Sequence, residues 1–136
     1  MGMGTEPTFA LGDQATSEPG HTEPGELLTI EVGVETVSEG RRSVRLALAG
    51  EIDPHTAPLL QAAVDRAIDG GCHSMVLDLG RVRFIDSAGL RVIIGAHRHL
   101  EAVGGAMVIE SPSDMARRLF EITGLTHHLV IEDRRP

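Results

Sequence analysis

"SMVLDLGRVRFIDSAGL", residues 74–90, decides the fold. Its first part, "SMVLDLG", has the length and apolar content of a short buried strand, and "RVRFID" reads as the loop that follows. From Ser87 to about Val103 the pattern is helical, with Leu90, Ile93, Ile94, His97 and Leu100 on one face. A buried strand that runs into an amphipathic helix is the building unit of a parallel sheet covered by helices.

The neighbouring segments repeat that unit. Downstream, Gly104-Gly105 end the helix, "AMVIE" (106–110) is a further strand, and "SPSDMARRLFEITGL" (111–125) is a last helix with Met115, Leu119 and Ile122 inward. Ser113 and Asp114 compete to cap it, and "HHLVIE" (127–132) closes the sheet. Upstream, "GEIDPHTAPLLQAAVDRAIDGG" (50–71) reads as a loop and then a helix. Thr56 is its N-cap, Pro58 lies in the first turn, Leu60, Ala63, Val64 and Ala67 form one stripe, and Gly70-Gly71 stop it. Before the loop, Leu28, Ile30, Val32 and Val34 alternate, as do Val44, Leu46 and Leu48, on either side of the polar turn "SEGRR" (38–42). These are two half-buried strands in an antiparallel hairpin. The expected fold is α/β: a mixed β-sheet whose N-terminal hairpin is antiparallel and whose later strands are parallel, covered by α-helices.

Composition narrows the function. The 136 residues suit one domain, and with 41% hydrophobic residues but only three aromatic ones, all Phe, the core is aliphatic. Residues 1–26 hold five acids, no base and three Glu-Pro pairs, and read as a disordered acidic N-terminal tail, leaving 27–133 as the folded domain. The formal net charge is −8, and every cation is an arginine. An acidic balance argues against nucleic acid, and the missing lysine removes P-loop and Schiff-base chemistry. Cys72 is the single cysteine and no apolar run has membrane-span length, so a cytoplasmic protein without membrane contact is expected. The start "MGMGTE" fails as a myristoylation signal because Glu6 stands where Ser or Thr is required.

Ser87, placed where a strand gives way to a helix, has three readings: helix cap, nucleophile or modification site. A nucleophile elbow needs glycine two residues before the serine, where this chain has Ile85; only Gly89 fits. His97 and His99 lie two apart on different sides of a helix, and no His-Glu-x-x-His or paired Cys-x-x-Cys is present, so neither a metal site nor a catalytic base is indicated. The paired glycines follow helices instead of preceding them, which is helix termination and not a phosphate cradle. Capping remains a strong reading for Ser87, yet a cap has no need of Gly89 in the first turn. There the glycine removes bulk and opens the helix end to another surface.

"FIDSAGL" (84–90), preceded by "VLDLGRVR" (76–83) and accompanied by "GEIDPHTA" (50–57) and "RRLFEITGL" (117–125), resembles the anti-sigma factor antagonists, the bacterial stand-alone members of the STAS domain family. The likeness covers about residues 27–133. It implies that Ser87 is phosphorylated by an ATP-dependent anti-sigma factor that is both partner and serine kinase, and is dephosphorylated by a PP2C-type phosphatase. It implies that the unphosphorylated form binds the anti-sigma factor and frees a sigma factor for transcription. The protein is then a switch component and not an enzyme, and no cofactor is implied. The family's partner surface maps onto Asp53, Asp86, Ser87, Ala88, Gly89 and Leu90. Arg91 joins them as a departure, since many relatives have a small residue there, and the acidic tail is a second. Ala88 removes an alternative acceptor beside Ser87. A ligand-responsive or scaffolding STAS domain, in which Ser87 only caps its helix, is the alternative reading.

Overall fold

The computed structural model describes residues 28–36 and 41–133; the acidic segment 1–26 and most of the hairpin turn lie outside them. The elements are β1 (Leu28–Thr36), β2 (Arg42–Ile52), α1 (Ala57–Asp69), β3 (Cys72–Ile85), α2 (Ser87–Ala102), β4 (Ala106–Glu110), α3 (Asp114–Thr123), a 3-10 turn (Leu125–His127) and β5 (Val130–Glu132). The strands form one sheet in chain order. β1 pairs antiparallel with β2, and every later pairing is parallel. The mixed α/β sheet is as expected.

Alternation builds the sheet's inner face. Val44, Leu46 and Leu48 of β2, Met75, Leu77 and Leu79 of β3, and Met107 and Ile109 of β4 are all buried. Leu60 and Val64 of α1, Ile93 and Leu100 of α2, and Phe120 of α3 close over the same core. The helices are held by this burial more than by propensity, because each presents an apolar stripe that the sheet removes from water.

Four expectations need correction. "RVRFI" is not a loop: β3 runs through it to Ile85, with Ala49 opposite Arg81 and Ile52 opposite Ile85. Its pairing with β2 slips at Ala47/Ala49 and again at Gly50/Glu51, two β-bulges that break the simple alternation. Likewise Glu51 and Ile52, read as loop, end β2. The third concerns β1, where burial fades along the strand: Leu28 is buried, but Val32 and Val34 are exposed. In α3, Met115 and Leu119 pack half-buried against the core as expected, but Ile122 is 74% exposed and the fully buried residues are Ala116 and Phe120.

Candidate functional site

The sheet delivers two loops to one place. Ile52 and Ile85 end neighbouring parallel strands in register, and the backbone N–H of Asp86 donates to the Ile52 carbonyl at 3.1 Å. The chain leaving β2 at Asp53 and the chain leaving β3 at Asp86 therefore start side by side. Two of the residues expected to meet a partner are brought together by the ladder itself.

Each aspartate shapes its own exit. Asp53 Oδ1 accepts from the backbone N–H of His55 and of Thr56, both at 2.9 Å, and from the Thr56 hydroxyl at 3.2 Å. Those bonds favour the ionised carboxyl: the Thr56 N–H foremost, then the His55 N–H, hold it below the ordinary carboxylate range. Thr56 stands at the N-cap position of α1 but does not cap it by its side chain. Its buried hydroxyl instead donates to the Glu51 carbonyl at 2.7 Å and accepts from the Asp53 N–H at 3.0 Å, tying the turn to the end of β2. The α1 capping expected of Thr56 is thus replaced by loop closure.

Asp86, and not Ser87, caps α2. Its backbone is extended, and Oδ1 accepts from the N–H groups of Ala88 at 2.8 Å and Gly89 at 3.4 Å. Ser87 is already the first helical residue, exposed, and its hydroxyl makes no hydrogen bond among the described residues. This corrects the capping reading of Ser87: the structural duty falls to its neighbour and leaves the hydroxyl free. By the same logic Ser113 outcompetes Asp114 at α3, accepting from the Ala116 N–H at 3.3 Å.

Gly89 also changes meaning. It is buried, and a Cβ built on it would lie 2.6 Å from Ile52 Cγ2 and 2.8 Å from Ile85 Cγ1, both too close for a real side chain. The missing bulk lets α2 sit down on the ends of β2 and β3; it does not open the helix to an outside surface. Leu90 is 7% exposed and belongs to the core, though its edge lines a shallow groove of about 320 Å³ with Ser87, Arg91, Ile94, Thr123 and Leu125. Of the expected surface, Ser87 and Arg91 are exposed, Asp53, Asp86 and Ala88 are half-buried, and Gly89 and Leu90 are beneath. The groove's far wall, Thr123 and Leu125, is a contribution from the end of α3 that the sequence reading missed. Only the spacing of the whole fold brings it opposite Ser87.

The mixed five-stranded sheet of the described residues, with its helical cover, is the architecture that comparison with known proteins assigns to a family. The model of the family described as STAS domain matches residues 36–135, and the chain belongs to this family. It is similar to the anti-sigma F factor antagonist of Lysinibacillus sphaericus, 34% identical over 86 residues that cover 62% of this chain and 74% of that protein. Among solved structures it is similar to the anti-sigma factor antagonist SpoIIAA in its unphosphorylated form, with 29% identity, a TM-score of 0.64, and 77% of this chain and 89% of that one covered. The Bacillus cell fate determinant SpoIIAA in its phosphorylated form matches at 29% identity and a TM-score of 0.60, over 77% of this chain and 92% of its own. Among the described residues no helix is long and apolar enough to cross a membrane.

Proposed function

We propose that this protein is an anti-sigma factor antagonist switched by phosphorylation of Ser87. In the unphosphorylated state it binds an anti-sigma factor that is also an ATP-dependent serine kinase, and a sigma factor is released for transcription. The kinase transfers the terminal phosphoryl group of ATP to Ser87 Oγ, the hydroxyl proton is lost, ADP leaves, and the antagonist lets go. A PP2C-type phosphatase returns the serine by hydrolysis. The protein acts in the cytoplasm as a substrate and partner, not as a catalyst.

The observation that carries this reading is the division of labour between Asp86 and Ser87. Asp86 caps α2, so the Ser87 hydroxyl at the first helical position is exposed and makes no hydrogen bond among the described residues. The likeness to antagonists, one of them solved both unphosphorylated and phosphorylated, supports the same assignment.

Electrostatics supplies the switch. A phosphate brings about −1.5 to −2 charges at pH 7 to the docking face, and with an acidic group of the partner ~4 Å away two unit charges at an effective dielectric of ~20 repel by about 4 kcal/mol. If solvent screens half of that, an acidic or closely packed partner surface still loses roughly 30-fold in affinity. Repulsion and added bulk are sufficient without refolding the domain.

The test is retention of partners from the native cytosol, followed by incubation of the captured kinase with ATP. Wild type and Ser87→Ala should both capture the kinase, only wild type should take up phosphate, and Ser87→Asp should bind much more weakly. Equal binding by all three, or phosphate uptake by Ser87→Ala, would overturn the reading.

A further inference from the structure

We infer that Arg91 is the intramolecular partner of the Ser87 phosphate, folding it back along α2 over the mouth of the adjacent groove. The inference rests on Ser87 being the phosphorylated residue and adds how the modified state is built. Ser87 and Arg91 are four apart in α2, so they are surface neighbours, about 5–6 Å between Cβ atoms. The anion stands N-terminal to the cation, the favoured order for such a pair.

Both side chains line the same groove, whose other lining residues are Leu90, Ile94, Thr123 and Leu125. Arg91 is the only cation among them. The Thr123 hydroxyl is already spent on the carbonyls of Leu119, at 2.8 Å, and Phe120, at 3.2 Å. Other arginines around the sheet are engaged: Arg45 with Asp78 and Glu110, Arg83 with Glu51, Arg117 with Asp133. Arg91 is exposed and has no hydrogen bond or ion pair among the described residues. A guanidinium in that position offers a planar fork matched to phosphate oxygens.

The consequence is a modified state defined by shape as well as charge. The phosphate–Arg91 pair covers the groove between the start of α2 and the end of α3, and part of the added charge is neutralised within the chain. A partner that inserts an apolar side chain between Leu90, Ile94 and Leu125 is then excluded by occupancy.

Phosphoserine installed at position 87 of the full chain by codon reassignment provides the test, with the phosphorus resonance followed against pH. The second phosphate ionisation, near 6 when unpaired, should lie about half a unit lower in the wild-type background than in Arg91→Gln, with Arg91→Lys between them. The gap should close at ~1 M salt, where screening reaches ~3 Å. Arg98→Gln, which removes an exposed arginine elsewhere on α2, should leave the curve unchanged. Coincident curves for wild type and Arg91→Gln would overturn the pairing, and so would an equal shift in Arg98→Gln. Because the phosphoserine is incorporated during translation, the outcome is independent of any kinase. A chain that shows the pairing but is never phosphorylated by its captured partner would defeat the proposed function and leave the pairing standing.

Discussion

Gly89 rests against Ile52 at a distance no side chain can share: a Cβ on the glycine would stand 2.6 Å from Ile52 Cγ2. The helix that carries Ser87 is therefore seated on the end of β2 by the absence of one carbon. Gly89→Ala should cost about 2 kcal/mol, the scale of overpacking in a dense core, despite alanine's better helix propensity. Thermal unfolding should show a loss of several degrees, and in a double-mutant cycle with Ile52→Ala, which removes Cγ2, the two losses should be less than additive.

Capping separates the two residues at the junction. Asp86→Ala removes the acceptor for the Ala88 and Gly89 N–H groups and should destabilise by about 1 kcal/mol. Ser87→Ala should leave the denaturation midpoint within ~0.5 kcal/mol of wild type, as expected for a surface position. An equal loss for both would return the capping role to the serine.

The Asp53 turn carries a pH signature. Hydrogen bonds from the Thr56 and His55 N–H groups lower its folded pKa, so its contribution is present above the unfolded carboxyl value of ~3.9 and is lost as pH falls through the lower folded value. Asp53→Ala should therefore be less stable than wild type at pH 7, by about 1 kcal/mol. The difference should shrink in acid. Urea denaturation at several pH values checks both the sign and the convergence.

On β2, β3 and β4 the guanidinium of Arg45 meets Asp78 at 2.8 Å and also Glu110, a buried residue only 5% exposed. Arg45→Met takes the cation from a buried acid and should cost about 2 kcal/mol, tempered by the half-exposed arginine. Adding Glu110→Gln should restore part of the loss, which a double-mutant cycle would measure.

What was legible in the sequence follows from what repeats. Leu46, Leu48, Leu77 and Ile109 stand in runs whose alternation survives into the sheet, and Gly71 and Gly104, both at positive φ, punctuate the helices as glycine does. The stretch Arg81–Ile85 was hidden because bulges replace alternation there: Val82 and Ile85 are buried while Arg83 and Phe84 are exposed. Ser87 was visible as a special position, but its role turned on a one-residue boundary that periodicity does not resolve. The far wall of the groove, at Thr123 and Leu125, depends on tertiary placement and left no local sign. Gly89 stands out in the sequence as a poor helix former in a first turn, but its reason lies beneath it, in the side chains of Ile52 and Ile85, and not toward solvent.

Beyond a first slip at Arg42/Ser43, the two slips of the β2–β3 ladder at Ala47/Ala49 and Gly50/Glu51 act as a pair of half-steps. Each gives β3 one residue more than its neighbour, so Met75 faces Val44 and, after both, Ile85 faces Ile52, all four pointing into the core. One slip alone would turn the end of the strand over and send Asp86 and Ser87 off on the opposite side of the sheet. Chain length between Leu77 and Ile85 is thus counted in parity: a single-residue insertion or deletion there would send the β3–α2 junction to the wrong face while leaving residues 86–90 unchanged.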